Sequence, residues 1–253
     1  MEARIYDSSL AVSLSDRTPL LQRHGEVYDQ KAEAAPLKYG RISKAADTLQ
    51  RAFANDPIMI YYGSVDTAPF FHARWKLRHN VTLLDAVHQK RVLTVNQGDA
   101  VLEYGIPGNN TPSTGYKLFH KLLESFDTPE LKRRKAEFRG KVMEFVKDAF
   151  GEQVNDMYDL QMLATAPEAQ GRGYGSALVN AVTDMADAEG RDTWVITVNA
   201  SGFYQHLGFQ IVRKGVLGDD NPSWEGKPVP VFVLRKRASK ARVAPRDGMT
   251  EKS

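Results

Sequence analysis

Apolar residues three and four apart alternate along this chain with short β-branched runs, a pattern that predicts a mixed α/β protein. Ser43 to about Ala54 reads as a first helix, with the Ser43 hydroxyl as N-cap and Asn55-Asp56-Pro57 as its end. Pro69 to His88 reads as a second, because Phe70, Trp75, Leu77, Val81, Leu84 and Val87 fall near helical spacing. Arg91 to Val95 and Ala100 to Ile106 read as strands of a hairpin around Asn96-Gln97-Gly98-Asp99. After a loop at Pro107 to Thr114, two helices are expected, about Tyr116 to Phe126 and Pro129 to Phe150. Leu131, Phe138, Val142, Phe145 and Ala149 form the apolar stripe of the second. Lys132, Arg133, Arg134, Lys135, Arg139, Lys141 and Lys147 crowd its other positions and read as a solvated basic face or a contact for an anion. Asp159 to Thr165 is a strand that Pro167 ends, and Ser176 to Glu189 a helix closed by Gly190. Strands at Thr193 to Val198, Phe209 to Val216 and Val229 to Leu234 follow, with a short helix at Ala200 to His206; the last strand is expected to close the sheet.

The stretch from Ala166 to Ser176, A-P-E-A-Q-G-R-G-Y-G-S, joins a strand to a helix through three glycines. Backbone N–H groups of a first helical turn lack internal partners, and the helix dipole adds positive charge there. The turn is therefore a seat for phosphate. Gly171, Gly173 and Gly175 leave no Cβ to hold a ligand away, and Arg172 adds a cation. A P-loop needs Gly-Lys-Ser/Thr, and this turn has no lysine. The dinucleotide fingerprint G-x-G-x-x-G is a near miss: Gly171 and Gly173 fit, Ser176 stands at the third glycine, and Glu189 lies where a ribose-binding acid would. Q/R-x-x-G-x-G/A is matched in full by Gln170, Gly173 and Gly175.

On these residues the chain resembles the GNAT superfamily of acetyl-CoA-dependent N-acetyltransferases. Leu160 to Ser176 is similar to that family's central strand and pyrophosphate loop, and F-Y-Q-H-L-G-F, Phe203 to Phe209, to its C-terminal signature. Ala45 to Pro57 and Val101 to Gly108 resemble its first helix and a strand ending in Pro-Gly, as in small-molecule members. The resemblance implies a mixed, twisted central sheet with helices on both faces and a splayed central strand pair. It divides the chain into an extension at 1–38, an acetyltransferase domain at 39–235 with a helical insert at 116–150, and a basic tail at 236–253.

The same resemblance implies the site. Acetyl-CoA would lie along Leu163, Ala164 and Thr165, with its diphosphate wrapped by Gln170, Gly171, Arg172, Gly173, Tyr174, Gly175 and Ser176. Tyr204 matches the tyrosine placed near the coenzyme sulfur, and a phenol stays protonated at neutral pH, so it can donate to a departing thiolate. Asp159, eleven residues before Gln170, stands at the offset of a catalytic glutamate in the histone-acetylating branch, and Glu103 is its rival as base. The basic helix offers a contact for the coenzyme's 3′-phosphate. Ala166 replaces the acid or asparagine common before the proline, so that turn is expected to be less tied down, and the short spacing from Asn199 to Tyr204 puts a coenzyme contact by Asn199 in doubt.

Composition narrows the rest. With 253 residues, 42% hydrophobic and 26% charged, the chain suits one substantial core, and no apolar run approaches a membrane span. The absence of cysteine excludes disulfides, thiolate metal sites and an acetyl-cysteine intermediate. Six scattered histidines suggest no metal site. A formal charge of +3 is too small to argue for nucleic acid, and Glu2 and Asp7 in place of a basic-then-apolar start make the cytoplasm the expected compartment. The expected reaction is direct acetyl transfer to a small-molecule primary amine. A dinucleotide-binding oxidoreductase and a non-catalytic acyl-CoA-binding protein remain as alternatives.

Overall fold

A computed structural model describes residues 32–108 and 111–239. Its helices are α1 (Ile42–Ala52), α2 (Pro57–Gly63), α3 (Phe71–His88), α4 (Thr114–Glu124), α5 (Pro129–Phe150), α6 (Tyr174–Ala188) and α7 (Ser201–His206). Its strands are β1 (Ala35–Pro36), β2 (Val92–Val95), β3 (Ala100–Gly105), β4 (Tyr158–Thr165), β5 (Thr193–Thr197), β6 (Gln210–Leu217) and β7 (Val229–Lys236). They form one open mixed sheet in the order β1-β2-β3-β4-β5-β7-β6, in which only β4 and β5 run parallel.

Strand periodicity divides the core in two, because alternate side chains leave opposite faces. Val92, Val101, Met162, Ala164, Trp194, Ile196 and Val233 join the cluster that α1, α2, α3 and α5 cover. Leu102, Tyr104, Leu160, Leu163 and Val195 join the cluster that α6 and α7 cover. Within α6 the fully buried Leu178, Val179 and Val182 each contribute roughly 1.5–3 kcal/mol of burial. The helix ends as expected at Gly190 (φ +66), where Arg191 N–H bonds the Ala186 carbonyl at 2.9 Å and Gly190 N–H bonds that of Asp187 at 3.0 Å.

Several expectations are corrected. Ser43 lies inside α1, which begins at Ile42 after a 3-10 turn at Tyr39–Arg41 and has no side-chain cap. Asp56-Pro57 opens α2: the Asp56 carboxylate accepts from Ile58 N–H at 2.9 Å, and Pro57, which has no N–H to satisfy, sits at the first position. The last strand does not close the sheet; β7 lies between β5 and β6, antiparallel to both, and β6 is the edge. Ala35–Pro36, placed in the extension by sequence, pairs with β2. The rest of that extension through residue 31, and the tail from residue 240, lie outside the described residues.

The basic face of α5 is divided. Lys132, Arg133, Arg139 and Lys147 are exposed, whereas Arg134 is fully buried. Its guanidinium donates to the Tyr61 carbonyl, to Ser64 Oγ (2.8 Å), to the Ser223 carbonyl (2.7 Å) and to Glu130 (2.9 Å), and lies over the rings of Tyr61 and Trp224. Lys135 is paired with Asp127, and Lys141 with Asp219. The helix packs on β6, across the sheet face from α6, so its cations stand away from the phosphate turn.

Candidate active site

The parallel strands β4 and β5 pair only at Tyr158, Asp159 and Leu160 against Thr193, Trp194 and Val195. Beyond Leu160 they diverge, while β3 continues to pair with β4 as far as Thr165. The register with β3 shifts there: Glu103 faces Met162 but Tyr104 faces Leu160, which leaves Gln161 as a bulge. One side of residues 161–165 thus borders an opening in the middle of the sheet. Interior backbone groups require partners, and an extended ligand in the opening can supply them.

The glycine turn closes the wide end. Gly171 (φ +76) and Gly173 (φ +74) adopt left-handed conformations, and a Cβ at either would meet nothing within 4 Å, so conformation rather than crowding requires glycine there. Gly175 is different. A Cβ there would approach Phe203 at 3.5 Å, Thr165 Oγ1 at 3.7 Å and Leu163 at 3.9 Å, which places α6, β4 and α7 in close register. α6 begins at Tyr174, two residues earlier than the pattern suggests, and no side chain caps it. Its first N–H groups are available to an anion. Ser176 lies in that first turn, half-buried; Arg172 is exposed and donates to the Glu168 carbonyl at 3.2 Å; Tyr174 Oη accepts from Asn96 at 2.8 Å.

The turn is well tied down despite Ala166, contrary to expectation. Ala166 N–H donates to the Asp99 carbonyl at 2.8 Å, Gln170 Nε2 to the Thr165 carbonyl at 3.3 Å, and Arg51 of α1 holds Glu168 at 2.8 Å. One backbone bond and two side-chain ties take the place of the missing anchor. Leu163, Ala164 and Thr165 are buried; Ala164 belongs to the cluster under α1, Leu163 to the one under α6.

Tyr204 is completely buried between Phe203 and Phe209, in the cluster that holds Leu160, Leu163 and Val195 from both arms of the opening. Its hydroxyl has no hydrogen-bond partner among the described residues, and burial pushes the phenol well above its usual range. An orphaned hydroxyl this deep costs on the order of 1–3 kcal/mol unless something pairs with it. The residues therefore fit a ligand that carries a polar atom to the opening.

Asp159 and Glu103, the two expected bases, are both buried and occupy the α1–α5 face of the sheet, whereas Tyr204 lies on the other. Asp159 sits in the paired, narrow end, opposite Trp194 and Gly105, and accepts from Gln161 at 2.7 Å. Glu103 lies opposite Val92 and Met162. The expected acid and the expected bases therefore stand on opposite faces of the sheet and are not in contact.

A third carboxylate went unread in the sequence. Asp56 is fully buried, and burial raises its carboxyl to about 7. Asn199 donates to it at 3.3 Å. Asn199 lies just past the end of β5, so Asp56 stands at the open end of the gap. The Asp-Pro pair after a helix was its only sequence signal, and that pair equally marks a helix boundary. Among the described residues no group of three His, Asp or Glu side chains is arranged to hold a metal ion, and no helix is long and apolar enough to cross a membrane.

Residues 135–211, from α5 to the start of β6, match the family model described as an acetyltransferase (GNAT) domain. Over that segment the chain matches a GNAT acetyltransferase domain. Solved acetyltransferase structures share the fold of this chain. Arylalkylamine N-acetyltransferase 2 from Aedes aegypti aligns with a TM-score of 0.57 at 14% identity, over 83% of this chain and 100% of that one. An agmatine N-acetyltransferase variant gives 0.54 at 15% identity, over 81% and 98%. The Drosophila melanogaster polyamine N-acetyltransferase gives 0.52 at 15%, over 81% and 98%. No curated protein matches the sequence. The oxidoreductase alternative draws no support from these matches, and the acetyltransferase fold accounts for the near-miss glycines: they shape the turn before α6 of this fold.

Proposed function

We propose that this acetyltransferase moves an acetyl group from acetyl-CoA to the primary amine of a small molecule, by direct transfer with both substrates bound. The observation that carries this reading is the gap where β4 and β5 part beyond Leu160, beside the uncapped start of α6; the orphaned Tyr204 hydroxyl in the core under α6 and α7 is the candidate acid. Gln170 to Ser176 would hold the diphosphate and residues 163–165 the extended arm. The coenzyme supplies an activated thioester. Small amine acceptors are supported by the named activities of the solved structures that share the fold.

The chain's own groups divide the proton work. A carboxylate removes a proton from the incoming ammonium; the freed amine forms the C–N bond as the C–S bond breaks. Tyr204 gives its proton to the departing thiolate; the second proton, shed by the nitrogen as it becomes an amide, restores the phenol through water, and the carboxyl releases the first to solvent. Asp56 suits that step, because its carboxyl stands at about 7 and a base works best when its pKa lies near the operating pH. Asp159 and Glu103 lie on the sheet face that α1 covers and remain the other two candidates for the base.

Calorimetry with acetyl-CoA and with NAD(P), followed by thiol release with a panel of amines, tests the reading. Acetyl-CoA is expected to bind and NAD(P) not to. Gly173→Asp, which replaces a left-handed glycine and adds a negative charge beside the diphosphate, is expected to weaken coenzyme binding at least tenfold. Unchanged affinity in that variant would sink the assignment.

A further inference from the structure

A cavity of about 530 Å³ lies between α1, α2 and the start of α3, within the size range of small-molecule sites. Its wall is mostly apolar: Phe53, Met59, Phe71 and Trp75 line it. No Asp or Glu lines it among the described residues. Arg51 is its charged member, and that guanidinium is already held by Glu168. His79 also faces it; burial beside Arg78 lowers that imidazole to about 4, so it is neutral near pH 7. The wall is braced across the cavity, since Gln50 of α1 donates to the His72 carbonyl of α3 at 3.1 Å. Phe70, just before Phe71, is held at φ +59, a conformation rare for a bulky side chain. Strain of this kind costs on the order of 1–3 kcal/mol and concentrates at functional segments.

The cavity adjoins the proposed chemistry on two sides. Ala54 lines it and Asp56 follows two residues later, at most about 7 Å along the chain. Arg51 lines it and grips the phosphate turn.

We propose that this cavity receives the apolar, aromatic body of the acceptor, so that the substrate is an arylalkyl monoamine rather than a polyamine. This rests on the transferase reading above. A polyamine would bring a second ammonium into a wall that offers no carboxylate and holds one guanidinium; burying an unpaired charge there is strongly unfavourable. An aromatic ring instead gains edge and face contacts with Phe53, Phe71 and Trp75, and leaves its single amine to be directed toward Asp56.

Ala54 is exposed, so Ala54→Trp fills the cavity from its rim without disturbing the core. Binding of 2-phenylethylamine, tryptamine, agmatine and spermidine to the full chain with CoA present is measured by calorimetry, and thiol release is measured with acetyl-CoA. The arylalkylamines are expected to bind at least tenfold more tightly than the polyamines. Ala54→Trp should weaken them at least tenfold while acetyl-CoA affinity stays within twofold. Equal or tighter polyamine binding, or arylalkylamine binding that Ala54→Trp leaves unchanged, overturns the proposal. Arylalkylamine binding that Ala54→Trp abolishes, with no thiol released by any amine, supports the cavity and overturns the transferase reading instead.

Discussion

Asp56 combines two roles in one carboxylate. One oxygen caps α2 through Ile58 N–H, and the other accepts from Asn199 at the end of β5. Burial outweighs these bonds, which is why its carboxyl rises to about 7 from 3.8. The rate at low amine concentration should therefore climb as pH passes through about 7, and Asp56→Asn, which keeps an N-cap acceptor, should lose that limb together with most of the activity. A pH–rate profile left intact by the Asp56→Asn substitution would transfer the role to Asp159 or Glu103. Stability moves the other way. Between about pH 4 and pH 7 the folded chain keeps a proton that the unfolded chain has released, so this residue's contribution falls as pH rises, then levels off above 7. His79 has the opposite slope, because its folded value of about 4 lies below the ordinary 6.5. The difference between wild type and Asp56→Asn in urea unfolding isolates the carboxylate. It should shift in favour of the variant on going from pH 4 to pH 8, by on the order of a few kcal/mol. Tyr204→Phe tests the other proton. Removing an orphaned hydroxyl should leave the fold at least as stable, while kcat falls and acetyl-CoA affinity is retained; thermal melting and steady-state kinetics on one preparation separate the two effects.

At the scale of elements, α5 shows how a local pattern and a non-local contact differ in legibility. Its span, Pro129–Phe150, follows from the apolar stripe and from Thr128-Pro129 at its start, where the threonine hydroxyl accepts from Leu131 N–H. What it packs against was not legible. Gly215 of β6 lies against the Cζ end of the Phe145 ring, and a Cβ there would come within 2.0 Å of it. Gly215→Ala is expected to cost about 1–3 kcal/mol, read as a drop in the urea midpoint, and Phe145→Leu should recover part of it. The same contrast runs through the chain. The β2–β3 hairpin could be read because its turn is local: Val95 pairs with Ala100 across four residues. The insertion of β7 between β5 and β6 could not, since strand order depends on partners far away in sequence. Arg134 read as one more cation on a basic face; only the arrival of Tyr61, Ser64 and Ser223 around it makes it a buried tie between α5, α2 and the segment before β7. The shape of the glycine turn was legible for the opposite reason: it is written in the left-handed backbone of Gly171 and Gly173, and glycine is the residue that records it.

Taken as a whole, the molecule is two slabs of sheet, β1 to β4 and β5 with β7 and β6, in contact along three residue pairs. α6 and α7 seal one side of that seam and α1 and α2 cross the other. A chain threaded along β4 would add the missing rungs and so clamp the slabs to each other. Amide hydrogen exchange reports this directly: acetyl-CoA should slow exchange in 161–165 and in 196–199 together, while the outer pair β6 and β7 stays unchanged. Protection confined to the glycine turn would mean that the diphosphate docks without the arm entering the seam. The consequence reaches past catalysis. Under the proposed function the coenzyme mortars the two halves together, so resistance to proteolysis should rise with the concentration of acetyl-CoA or of CoA, which carries the same arm.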